Sequence, residues 1–260
     1  MSQYPADSDQ PENQPPPQRQ APRLFVRGPK TNQPIVTYVL IGLTVLFYLV
    51  QVVLERLTGG DVLFLYLGKI NPFIMGGQFW RLFTPALLHA SPMHLLANMY
   101  ALFMLGRSYE TINGHLRFFL LCLVSAFGGN VLSFVLGEYP SLGASTLTFG
   151  LLAAQAMFIF QNRDFFPNRG RGNLMNILMI LLINLAIGVS AGSRIDNWGH
   201  LGGLIAGVFF AYLAGARWNV QRVDNHPSMV DQRTSRETWM AFLLVFIAFA
   251  AIAAIPFLSR

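Results

Sequence analysis

Apolar residues gather into seven runs along the chain: Ile35 to Leu54, Met93 to Gly106, Phe118 to Leu136, Leu142 to Phe160, Leu174 to Ala191, Trp198 to Ala216 and Trp239 to Leu258. Most approach the roughly 20 residues that a helix needs to cross a bilayer, so the pattern predicts an all-α membrane protein. The second run is short unless its helix begins back near Thr84, and the third is interrupted by "GGN" at 128 to 130. Residues 1 to 32 are rich in Pro and Gln and bury too little apolar surface to order themselves, which predicts a disordered cytoplasmic tail. That tail has no basic segment followed by an apolar one, so it does not read as a signal peptide. Residues 33 to 217 read as one membrane domain holding the first six runs. Residues 218 to 238 read as a polar cytoplasmic linker, and residues 239 to 260 as a seventh span with the C-terminus. No internal repeat is visible.

Composition agrees with a membrane chain. It is 53% hydrophobic and only 12% charged, against about 25% charged for a soluble domain. The net charge of +6 is explained by orientation and needs no nucleic-acid partner. With the N-terminus inside, thirteen of the eighteen Lys and Arg residues fall in cytoplasmic segments, as the positive-inside rule expects. Seven spans then leave the C-terminus outside. The single cysteine, Cys122, excludes an intrachain disulfide and leaves the redox compartment open.

With that topology, spans two, four and six all begin near the outer face. Span two opens with His94 and Asn98, four residues apart and therefore on one helix face. Span four opens with "GASTLTFG", which carries Ser145 in its first turn, and span six with "DNWGHLGG", which carries His200. One such serine usually bonds back to its own backbone. Ser, His and Asn delivered to one depth by three helices are instead a candidate site, because polar groups in a membrane are costly. His200, Gly203 and Gly207 share a face. Gly203 to Gly207 is a GxxxG pattern that lets membrane helices approach closely. If span six packs on span four there, His200 comes within hydrogen-bond reach of Ser145.

These stretches, together with "FWRLFTPALLHASPMHLLANMYALF" at 79 to 103, resemble the rhomboid intramembrane serine proteases. The resemblance covers roughly residues 35 to 217. It implies a six-helix core plus one C-terminal helix, and an endopeptidase that cuts transmembrane segments of single-span membrane proteins within the lipid bilayer. It implies Ser145 as nucleophile and His200 as general base and acid in a two-residue dyad. It implies oxyanion stabilisation by Asn98 and His94, helix packing at Gly143, Gly203 and Gly207, and a first-loop anchor made of Trp80, Arg81 and His89. No cofactor and no metal are implied, and the histidines do not form the HExxH of a zinc protease. Asp196, one turn before His200, is placed to orient it, but the resemblance favours the dyad.

One position departs from the family. Glycine usually follows the nucleophile, and here Thr146 does. We expect its hydroxyl to bond back to the carbonyl of Ser141 or Leu142, the alternative being a side chain that wedges spans four and six apart. The departure keeps open a catalytically inactive relative that binds membrane helices. A small transporter is disfavoured, because its polar residues belong near the midplane. Asn130, Gln155 and Asn184 are expected to make interhelical bonds.

Overall fold

The computed structural model describes residues 26–29, 31–166, 170–188 and 195–258. Most of the expected tail, residues 1–25 and 30, lies outside them, as do Arg169 and Arg194.

The chain is mostly helical. Helix α1 (Ile35–Thr58) buries Thr37, Thr44 and Gln51 and leaves Leu46, Leu49 and Val53 exposed. Polar residues inside and apolar residues outside are the reverse of a water-soluble helix, and the arrangement suits lipid. Two short helices, α2 (Val62–Leu67) and α3 (Asn71–Met75), and 3₁₀ turns at Phe79–Leu82 and Thr84–Leu87 form the loop that follows. Helix α4 (Pro92–Ala101) starts eight residues beyond Thr84, where the Ser91 hydroxyl accepts the His94 N–H at 3.2 Å. A π segment, Leu102–Gly106, joins it without a break to α5 (Arg107–Asn113), so the short second run is completed at its C-terminal end.

Helix α6 (His115–Leu136) runs straight through Gly128, Gly129 and Asn130. These glycines are contact points for neighbouring helices and do not break the span. Helices α7 (Ser145–Gln161), α8 (Gly170–Gly188) and α9 (Asn197–Ala214) follow. Next come strands β1 (Trp218–Val223) and β2 (His226–Asp231) and helix α10 (Ser235–Leu258). Helices α1, α6 and α10 are the three that are long and apolar enough to cross a membrane among the described residues.

Two expectations need correction here. The stretch read as a polar linker is a β-hairpin, closed by Asp224 and Asn225 with φ of 51° and 61°. Short polar residues at positive φ are what a tight hairpin turn requires. The end of the tail is not free either. The Arg27 N–H donates to the Pro227 carbonyl and the Met229 N–H to the Arg27 carbonyl, each at 2.9 Å. An open hairpin edge recruits extended backbone in this way. Arg117 pins the hairpin to α6 by bonding Asp231, the Arg233 carbonyl and Thr238.

Helix α9 lies between α6 and α7, and glycine sets both distances. A Cβ on Gly202 would fall 2.3 Å from the Gly128 carbonyl oxygen, one on Gly203 2.1 Å from that of Thr146, and one on Gly207 2.4 Å from that of Gly150. Overpacking such contacts costs about 1–3 kcal/mol. Gly203→Ala should therefore lower the thermal unfolding temperature in detergent by several degrees. Gly42→Ala, where nothing lies within 4 Å, should leave it unchanged or slightly raised. Equal effects of the two would refute the packing role.

Candidate active site

Ser145 is the first residue of α7 and is half-buried. The first N–H groups of a helix have no partner within it, so they gather at the Ser145 end with the positive end of the helix dipole. The loop leading there is tightly held. Lys69 and Ser141 exchange backbone hydrogen bonds at 3.0 Å in both directions, and the Gly143 N–H donates to the Pro85 carbonyl at 2.9 Å. The buried Lys69 ammonium donates to the Tyr139 carbonyl at 2.8 Å. Burial pulls its pKa down to about 8, against the opposite pull of Asp196. Gly143 has a φ of +126°, and a Cβ there would lie 2.6 Å from Cε1 of His94. Only glycine both takes that backbone conformation and leaves room for the ring.

The ring of His200 stacks on Phe149, with centroids 4.1 Å apart and planes 12° from parallel. Phe149 is four residues after Ser145 and shares its helix face, so the imidazole packs on the face of α7 that carries the serine. Among the described residues no hydrogen bond joins Ser145 to His200, and the buried Nδ1 of His200 has no partner. Asp196 does not orient His200. Its carboxylate caps α9 by accepting the Gly199 N–H at 2.8 Å and also accepts the Ser133 hydroxyl.

On α4, both N–H groups of Asn98 are engaged. One meets Nε2 of His89 at 3.2 Å and the other the His94 carbonyl at 3.1 Å. The rings of His89 and His94 meet edge to face at 4.9 Å. The Ala144 N–H also approaches Nε2 of His89, at 3.5 Å. His89 thus ties the start of α7 to α4, with its ring proton assigned to Nδ1 because both donors face Nε2. Its own N–H donates to Gln51 of α1 at 3.3 Å. In the loop, Arg81 donates to the carbonyls of Gly68 and Leu65 at 2.8 and 2.6 Å. The Trp80 indole N–H donates to the Tyr66 carbonyl at 3.1 Å.

Thr146 corrects an expectation. Its hydroxyl, Oγ1, is buried with no hydrogen bond, so it does not bond back to Ser141 or Leu142. The reason is that α7 begins at Ser145, and no helical turn precedes Thr146 to present a carbonyl. Nor does it wedge α7 from α9. Its side chain turns onto α6, where a Cβ on Gly129 would lie 2.5 Å from its Cγ2. Asn130 donates to the Leu82 carbonyl at 3.2 Å and Gln155 to the Leu105 carbonyl at 3.0 Å, both between elements. Among the described residues, the bond Asn184 makes is to the Ile180 carbonyl of its own helix, at 2.8 Å, and not to another helix. Sequence reading missed Phe149, Lys69 and Gln51. Only Phe149 carried a usable signal, its four-residue spacing from Ser145.

Burial, reinforced by the neighbouring His94, pulls the pKa of His89 from 6.5 down to about 4. Between those values the unfolded chain binds a proton that the folded chain refuses, so stability falls as pH falls through that window. The effect is worth about 3 kcal/mol. Denaturation midpoints measured in detergent from pH 6.5 down to 4 should show this slope. His89→Gln, which keeps an acceptor, should reduce it by about one proton, and a slope untouched by the substitution would contradict the buried neutral ring.

The family model for the rhomboid domain matches residues 76–217. The chain is 38% identical over 186 residues, 72% of its length, to rhomboid protease GluP of Bacillus subtilis (strain 168). It is 36% identical over 153 residues, 58% of its length, to RHOMBOID-like protein 1 of Arabidopsis thaliana. To rhomboid-like protease 1 of Toxoplasma gondii it is 32% identical over 180 residues, 67% of its length. These matches take in 36%, 39% and 61% of the respective relatives, so the chain spans less than two thirds of their length. With the lipid-facing character of its apolar helices, the chain is an integral, multi-pass membrane protein, and it belongs to the rhomboid family.

Proposed function

We propose that the chain is an intramembrane serine endopeptidase that cuts transmembrane segments of single-span proteins. Two of the relatives are named as proteases. The observation that carries the reading is the convergence at one end of the bundle. Ser145 sits at a helix N-terminus, the His200 ring is stacked one turn away on Phe149, and the His94 ring presses on Gly143.

In this reading His200, neutral, takes the proton of the Ser145 hydroxyl as Oγ attacks the scissile carbonyl carbon. The tetrahedral oxyanion is met by the backbone N–H groups at the start of α7 and by the His94 imidazole. Asn98 joins by releasing the His94 carbonyl. One such donor contributes about 3 kcal/mol. As the C–N bond breaks, His200 returns the proton to the leaving amine. Water, deprotonated by the same ring, then hydrolyses the acyl-enzyme. Stacking on Phe149 takes over the orienting work that a carboxylate performs in a triad, since Asp196 is committed to its cap. The separation of serine and histidine closes when substrate loads, as unliganded catalytic hydrogen bonds often do. A substrate helix must unwind locally to offer its carbonyl, so helix-weakening residues near the cut favour cleavage.

The same proposal takes six helices as the catalytic core and α10 as a seventh span. The N-terminus is cytoplasmic and the Ser145 end opens to the outer face, in keeping with the distribution of Lys and Arg.

The test is cleavage of a model single-span substrate in liposomes. Ser145→Ala and His200→Ala should each abolish it, and the double variant should be no worse than either, because the two act as one unit. Asn98→Ala should leave a low residual rate. Full cleavage by Ser145→Ala would overturn the proposal.

Thr146 supplies a separate measurement. Because Gly129 receives its side chain, Thr146→Gly should change the initial rate by less than about tenfold in either direction. A silent wild type rescued by the glycine would favour a binding-only relative.

A further inference from the structure

The ends of α7 and α9 farthest from Ser145 border an open cavity of about 340 Å³ with the segments flanking the hairpin, and three arginines line it: Arg163, Arg217 and Arg233. That volume falls within the range of small-molecule sites. Among the described lining residues Asp164 is the one carboxylate against three arginines, so they carry a net positive charge. Arg163 and Arg217 form no ion pair with any described residue. Arg233 spends part of its guanidinium on Glu237 and on the Tyr212 carbonyl, both at 3.3 Å, yet its Nε is buried with no partner. A buried cationic N–H without an acceptor is costly, so its persistence calls for one.

Two further lining residues fix the depth. Phe160 and Tyr212 are 54% and 53% exposed on the outside of the bundle. Aromatic side chains in that position mark the boundary between hydrocarbon and headgroups. From Ser145 to Gln161 helix α7 rises about 24 Å, close to a hydrocarbon thickness, so the cavity lies at the opposite interface from the candidate active site.

We propose that this cavity binds a phosphate-bearing anion, for which the headgroup of an anionic phospholipid is the source best matched to the aromatic flank. Guanidiniums match phosphate oxygens through paired N–H donors, and basic pockets between membrane helices bind anionic lipid headgroups. The bound phosphate would cross-link the end of α7, the end of α9 and the segment before α10, and so brace the frame from which Ser145 and His200 hang.

The test is native mass spectrometry of the full chain in detergent, titrated with dioleoylphosphatidylglycerol, dioleoylphosphatidylcholine or inorganic phosphate. Wild type should retain one phosphatidylglycerol at least about tenfold more tightly than phosphatidylcholine. The double variant R163Q/R217Q should lose that preference. The double variant R222Q/R236Q removes the same formal charge at exposed positions outside the cavity, and it should keep the preference. Arg163 and Arg217 are themselves exposed, so their variants should unfold at the wild-type temperature, which the same samples report. Displacement of the lipid by millimolar inorganic phosphate would assign the site to a free anion, and failure to displace it would assign the site to lipid. Equal loss in both double variants, or no preference for phosphatidylglycerol together with no retained phosphate, would overturn the site.

Discussion

The structure depends on the bare backbone contact that α9 makes with α6 on one side and α7 on the other. Gly202, Gly203 and Gly207 each sit so close to a neighbouring carbonyl that one added carbon would overlap it. In lipid there is no hydrophobic drive to bring helices together, because the tails are as apolar as leucine. Association rests on dispersion and on weak Cα–H···O contacts, and both fall off steeply with distance. The glycines therefore do more than fill space. They set the separation of the two helices that carry Ser145 and His200. In the proposed active site a misplacement of about 1 Å would cost up to a hundredfold in rate.

A second constraint acts at the end where Ser145 lies. Irregular backbone beside membrane spans needs its polar groups satisfied. The loops from α2 to α4 and from α6 to α7 meet that need with side chains aimed at main-chain carbonyls. Arg81 serves Leu65 and Gly68, Lys69 serves Tyr139, and Asn71 donates to Gly137 at 2.8 Å. The ties from Lys69 and Asn71 cross to the loop before α7, so the turn before Ser145 is held by residues far from it in sequence. His89 belongs to the same lattice, since it touches α1, α4 and the N–H just before Ser145.

The helical plan was legible because apolar runs and helical spacing are local properties. His94 with Asn98, and His200 with Gly203 and Gly207, share faces by arithmetic alone. What escaped depended on partners distant in sequence. The "GGN" in α6 looked like a break because its glycines face α7 and α9, which a one-dimensional pattern does not contain. The hairpin was missed although its signal was present. "WNVQRV" and "HPSMVD" flank an Asp-Asn pair of the kind that closes tight turns, but the polar composition of the stretch suggested a linker. The commitment of Asp196 to Ser133 and to its own helix N-terminus was also hidden, since Ser133 lies 63 residues away.

Thr146 shows most plainly how far a position is defined by its neighbours. Taken alone, a β-branched residue beside a candidate nucleophile threatens the site, because its χ1 is stiff and its bulk must go somewhere. In the folded chain the bulk goes into α6, at Gly129, where a side chain would collide with it. The Thr146 carbonyl meanwhile abuts Gly203 of α9. One residue thus touches both helices that flank the site, through its side chain on one and its backbone on the other. Glycine after the serine would release the contact with α6 and keep the contact with α9. The threonine and Gly129 are therefore coupled: enlarging Gly129 would drive Thr146 toward α9 and open the close contact between α7 and α9.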